Sequence, residues 1–102
     1  MNINAPLSFL GDSSLWSEDV LWLSEQQAWQ VLGPFSQRVR WAHLYIEPHI
    51  EYPDHIQARI QVDLAGHELY SVIAYGTCPQ SAICSAFMLL IREIERNELV
   101  TI

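Results

Sequence analysis

Ile56, Ala58, Ile60, Val62 and Leu64 alternate with Gln57, Arg59, Gln61 and Asp63 without an exception. That is the period-2 signature of a strand with one buried face. A one-residue slip would turn every one of those apolar side chains to solvent, so the pattern itself fixes the register. Ala65-Gly66-His67 is a short connection, and Glu68 to Tyr75 returns as a second strand, with Tyr70, Val72 and Ala74 on one face and Leu69, Ser71, Ile73 and Tyr75 on the other. The two strands form a hairpin. The period then changes. Gly76 ends the strand, Thr77 and Gln80 supply a capping box, and Pro79 is tolerated in a first helical turn, where its missing N–H has no partner to lose. Ile83, Ala86, Phe87, Leu90, Ile91 and Ile94 recur at helical spacing, and Arg92 and Arg96 lie near the C-terminal end, where cations are favoured.

Upstream, Arg38 to Ile46 also alternates, with Val39, Trp41, His43 and Tyr45 on one face and Arg40, Ala42, Leu44 and Ile46 on the other. Pro48 marks an end, bulge or edge, because it cannot donate to a ladder. The strand is expected to resume over His49 to Tyr52, before the turn at Pro53-Asp54. Trp16, Val20 and Leu23 predict a short helix over Leu15 to Leu23, with strand the alternative for Val20 to Leu23. A capping box at Ser24 and Gln27 and the stop at Gly33-Pro34 predict a second helix over Glu25 to Leu32. Residues 1–14, with Pro6, Gly11, Asp12, Ser13 and Ser14, read as an irregular arm. The expected architecture is an arm at 1–14 and a single α+β domain at 15–102: a three-stranded antiparallel sheet with helices on one face, in the order α-α-β-β-β-α.

Composition narrows the function. The chain has 102 residues, five Arg and no Lys, twelve Asp plus Glu, and a formal charge of −7. Such a field repels phosphate backbones, so nucleic acid is disfavoured as a partner. No apolar run reaches the roughly 18 residues of a membrane span, and Met1 to Leu10 lacks the basic start of a signal peptide, so the expected location is cytoplasmic. Cys84 reads as a small helix hydrophobe. Cys78 falls at a helix start, where N–H groups and the dipole can activate a thiol, but no partner base is evident. His43, His49, His55 and His67 show no metal-binding spacing, and no phosphate loop or nucleophile motif occurs, so the chain is expected to be no enzyme and to hold no metal or cofactor. Ordinary surface or edge histidines are the plain reading, with convergence of His43 and His49 on Glu47 or Glu51 the sharper one.

Two resemblances add to this. Glu47 to Ile94, with its hairpin, Gly76-Thr77 junction and helix bearing Ala82 and Ala86, resembles the βββα part of double-stranded-RNA-binding domains and of ribosome hibernation factors. The resemblance implies fold. Those families place lysines or other basic residues against RNA, whereas the matching Thr77-Cys78-Pro79-Gln80-Ser81 is uncharged. Trp29-Gln30-Val31-Leu32-Gly33-Pro34 followed by Arg38, together with Thr77 to Phe87, resembles small phage and prophage proteins of the NinX type, which implies an accessory protein of a mobile element.

The four Trp are the remaining surplus. Trp16, Trp22, Trp29, Trp41 and Tyr45 are the candidate binding residues, since aromatic side chains anchor interfaces when exposed. The leading expectation is a small acidic accessory protein acting through contact with a protein partner or with itself as a homodimer. The alternatives are a small-ligand pocket between sheet and N-terminal helices, lined by Trp22, Trp29, Trp41 and Tyr45, and nucleic-acid binding through Arg38, Arg40 and Arg59.

Overall fold

The computed structural model describes residues 7–66 and 69–99, except the side chains of Glu98 and Leu99. Its elements are β1 (Leu7–Gly11), α1 (Glu18–Leu32), β2 (Val39–Pro48), β3 (Ile56–Leu64), β4 (Tyr70–Gly76) and α2 (Pro79–Leu99), with short 3-10 turns at Ser13–Leu15 and Gly33–Phe35. The strands form one sheet in the order β1-β2-β3-β4, β1 parallel to β2 and the other pairs antiparallel. The expected three-stranded antiparallel sheet is therefore corrected to a four-stranded mixed one, in the order β-α-β-β-β-α.

The strand β3 organises the sheet as its pattern demands. Ile56, Ala58, Ile60, Val62 and Leu64 are all buried, and each residue between them is half-exposed. Ala58 faces Ile46 on one side and Ala74 on the other, and Ile60 faces Leu44 and Val72, so three strands bury one shared face. The expected inner face of α2 closes over it: Ile83, Ala86, Phe87, Leu90 and Ile94 are buried, and Ile91 packs at their margin. Both helices lie on this face. Among the described residues, nothing covers the other.

The first strand lies where an irregular arm was expected. Leu7 and Phe9 sit beside Ala42 and Leu44 and pack against the core, while Ser8 and Leu10 pair with His43 and Tyr45 on the uncovered side. Five residues beginning next to Pro6 give too few alternations to announce a strand, and a parallel partner more than thirty positions away leaves no hairpin signal. Gly11 ends the strand with φ +97°, and a Cβ there would stand 2.3 Å from the Ile46 carbonyl oxygen.

The two N-terminal helices expected are one. Ser17, not Ser24, caps it: the Ser17 hydroxyl accepts from the Val20 amide at 3.3 Å, ahead of Glu18 and Asp19 in the first turn. Ser24 is fully buried in the helix interior and donates back to the Val20 carbonyl at 2.8 Å, which satisfies its hydroxyl without breaking the helix. At the other helix the cap lies one residue later than Thr77 and Gln80, because the Cys78 amide donates to Ser81 Oγ at 3.4 Å.

In β2, a register shift between Val39 and Trp41 turns Val39 into the core opposite Leu64, separating it from the Trp41, His43 and Tyr45 face it was expected to share. The expected strand over His49 to Tyr52 is instead part of the β2–β3 turn: the His49 amide donates to the His55 carbonyl at 2.9 Å. His67, the end of the expected connection, Glu68, the expected start of the returning strand, and residues 1–6 and 100–102 lie outside the described residues. Among those described, no helix is long and apolar enough to cross a membrane.

Two outcomes follow from these caps and contacts. Ser17→Ala should lower unfolding free energy by about 1 kcal/mol, and Ser24→Ala by less than that, in urea titrations at unchanged m-value; the opposite ranking is expected of two separate helices. A Cβ at Gly76 would lie 2.3 Å from Ser81 Oγ and 2.6 Å from the Ala82 amide. Gly76→Ala should therefore push α2 off the sheet and cost about 1–3 kcal/mol in the same titration.

Candidate functional site

The uncovered sheet face is built by the positions that alternate with the core. On β2 these are Trp41, His43, Tyr45 and Glu47, which stand opposite Asp63, Gln61, Arg59 and Gln57 of β3. Gln61, Arg59 and Gln57 in turn face Ser71, Ile73 and Tyr75 of β4. Because i, i+2 and i+4 of a strand share a face, three rings run down β2 in a row. Trp41 and His43 are tilted together with centroids 4.3 Å apart, and His43 meets Tyr45 edge-on at 6.2 Å. The Arg59 guanidinium carbon lies 4.2 Å over the Tyr45 ring, a cation–π contact, while its buried Nε makes no hydrogen bond.

The electrostatics of this face differ from those of the chain. Arg40 stands 4.0 Å from Asp63 at the β2 end, so Arg40 and Arg59 offset Asp63 and Glu47. The acidic excess lies elsewhere, at Asp12, at Glu18, Asp19 and Glu25 of α1 and at Glu51 and Asp54 of the β2–β3 turn, while Glu93 and Glu95 of α2 are matched by Arg92 and Arg96. A neutral surface of rings, amides and two cations suits stacking against flat groups more than a phosphate field.

The structure does not bring the five candidate binding residues together. Trp41 and Tyr45 share the open face. Trp16 lies on the helical side, with its ring edge-on to Phe9 at 5.0 Å and its indole N–H donating to the Leu10 carbonyl at 2.9 Å. Trp29 packs against the core from α1, and Trp22 points to solvent from the same helix, 63% exposed. A pocket lined jointly by Trp22, Trp29, Trp41 and Tyr45 is ruled out by the sheet that stands between them. Of the three arginines considered for nucleic acid, Arg38 is tied down, its Nε donating to the Ala65 carbonyl at 3.0 Å, which leaves Arg40 and Arg59 on the face.

A second feature escaped the sequence reading. His49, Tyr52, His55 and Tyr75 line a cleft of about 340 Å³ at the turn end of the sheet. The spacing of His49, Tyr52 and His55, three apart within a turn, was its visible signal; Tyr75 is joined to them only by the pairing of β3 with β4. His43 lies on the sheet face and His49 in this cleft. Among the described residues no three His, Cys, Asp or Glu are grouped to hold a metal.

No family model and no curated protein matches the sequence. The fold is similar to two solved structures. A ribosomal subunit interface protein from Coxiella burnetii has TM-score 0.76 at 12% identity, over 93% of this chain and 97% of that one. The N-terminal domain of Protein Y from Thermus thermophilus has TM-score 0.68 at 23% identity, over 94% and 98%. Identities this low show fold. A likeness that spans both chains nearly end to end overturns the NinX-type resemblance, whose motifs are the end of α1 and the start of α2 and so mark helix boundaries in any fold. It also corrects the expectation of an accessory protein defined by protein contact, with nucleic acid disfavoured. That expectation treated a charge of −7 as if it were spread evenly.

Cys78 is exposed and Cys84 half-buried on α2. The Ser81 hydroxyl, 3.5 Å from Cys78 Sγ, and the Ser81 backbone amide hold the Cys78 thiol below its ordinary pKa by favouring the thiolate. Iodoacetamide at pH 7 should alkylate Cys78 faster than Cys84, and Ser81→Ala should slow Cys78 severalfold by raising its pKa, read by mass spectrometry over time. Equal rates at both thiols would contradict this.

Proposed function

We propose that this chain is a cytoplasmic, ribosome-associated binding protein of the subunit-interface kind, acting by occupancy rather than catalysis and using its open sheet face for contact with ribosomal RNA. The observation that carries the reading is the near end-to-end likeness in fold to a ribosomal subunit interface protein and to the Protein Y N-terminal domain. The face supports it chemically. Trp41, His43 and Tyr45 offer successive rings on which unstacked bases can lie, Gln57 and Gln61 offer donors and acceptors, and Arg40 and Arg59 offer the cations.

The absence of lysine sets the manner of binding. A protein that neutralises about two phosphates of single-stranded RNA has a salt slope of only about −1.4 in log K against log [salt]. Most of the affinity must then come from stacking, about 1–3 kcal/mol per base. Purified chain should co-sediment with ribosomes in sucrose gradients and remain bound over a modest rise in salt. Trp41→Ala and Tyr45→Ala should each weaken binding by about 5-fold to 100-fold, whereas Trp22→Ala, on the helical side, should leave it unchanged. Loss of co-sedimentation in Trp22→Ala, with Trp41→Ala and Tyr45→Ala bound normally, would move the contact to the helices.

A further inference from the structure

The turn between β2 and β3 holds three rings in fixed relation with a fourth, Tyr75 of β4. His49 sits between Tyr52 and Tyr75, with centroids 5.3 and 5.2 Å away, and Tyr52 meets His55 edge-on at 6.0 Å. His49 is locked from within: its Nδ1 accepts the backbone amides of Glu51 at 3.1 Å and Tyr52 at 3.2 Å. With Nδ1 engaged as an acceptor, Nε2 is the ring nitrogen left to face outward. His55 Nδ1 lies 3.2 Å from Asp54 Oδ1, which sets a carboxylate against the other imidazole. The turn itself is preorganised by the His49 amide to His55 carbonyl bond and the His55 amide to Tyr52 carbonyl bond, at 2.9 and 2.8 Å.

Three of the four lining residues belong to an acidic segment of the chain. Between Arg40 and Arg59 the chain contains no Lys or Arg, and Glu47, Glu51 and Asp54 all fall there. The Tyr52 and Tyr75 side chains remain more than half exposed, so ring surface is open to an incoming group. Aromatic faces attract cations through their quadrupole, and nearby carboxylates add to that attraction.

We infer that the cleft formed by His49, Tyr52, His55 and Tyr75 is a binding site for an organic cation, a guanidinium or ammonium head on a short alkyl stem. The same chemistry is already used within the sheet, where Arg59 lies over Tyr45. The ligand is either a free small cation or the arginine side chain of a polypeptide. The site stands independently of the ribosomal reading, because its evidence is the ring geometry and local charge of the free chain.

The test is a titration of the full-length, isotope-labelled chain followed by amide chemical shifts at constant ionic strength. The probes are ethylguanidinium, a glycyl-arginyl-glycine peptide and adenosine monophosphate. The expected result is saturable shifts at His49, Tyr52, His55 and Tyr75 with both guanidinium probes, at concentrations on the order of 1 mM for so small a ligand. Tyr52→Leu and Tyr75→Leu, which keep an apolar side chain but remove the ring, should weaken saturation about fivefold each, and their unchanged spectra elsewhere show that they fold. Equal half-saturation for the two guanidinium probes assigns a free cation, and a tighter peptide assigns an arginine side chain; both uphold the site. Shifts that sodium chloride reproduces, no saturation by about 100 mM, indifference to both Leu substitutions, or tighter binding of adenosine monophosphate would each overturn it. No ribosome enters the assay, so its failure leaves the co-sedimentation result standing, and the reverse also holds.

Discussion

The one-sided burial of β3 is the constraint on which the molecule depends. Its five apolar side chains face the same way, and β2 and β4 must match them residue for residue, or the core opens to water. Burying such a face is the main source of stability in a chain this small, where each fully buried aliphatic side chain contributes about 1.5–3 kcal/mol. The helices then have one place to go. Ala82 and Ala86, both fully buried, let α2 come close to the sheet, and Gly76 allows the chain to turn directly from β4 into it. The consequence for function is geometric: with both helices committed to one face, the polar positions of three strands form a second face with no structural task.

Much of the fold could be read from periodicity, and the parts that could not share a physical reason. The hairpin and α2 were visible because alternation and helical spacing are local. The strand β1 was not, because its five residues are specified by a parallel partner brought alongside through α1. Ser24 looked like a cap because Ser caps helices, yet the same hydroxyl is equally satisfied by the carbonyl one turn back once tertiary packing keeps the helix going. Val39 belonged to the wrong face on parity alone, and a single bulge reversed it.

The site was less legible than the fold. Trp41 and Tyr45 could be placed on one face from their spacing, whereas Trp16, Trp22 and Trp29 were grouped with them only as aromatic residues; their positions on the helical side depend on packing that no local pattern encodes. Net charge misled for a related reason. It is a sum over the whole surface, and here most of the unbalanced acids lie on α1 and the β2–β3 turn, while Arg40 and Arg59 balance Asp63 and Glu47 on the sheet. What a partner meets is the local field, and on the open face that field is close to neutral. The cleft at the turn, by contrast, is lined by two imidazoles and two phenol rings carried largely by an acidic segment, so two surfaces of one small domain are suited to different ligands.

The central claim is that the open sheet face is the working surface and the helical side is not. Covalent footprinting of the chain with and without ribosomes tests this most directly, since both sides carry exposed reporters: Ile73 and Tyr75 on the sheet, Trp22 and Met88 on the helices. The account predicts that ribosomes protect the sheet residues from labelling and leave Trp22 and Met88 as reactive as in the free chain. Protection of Trp22 and Met88 with the sheet residues still fully labelled would contradict it.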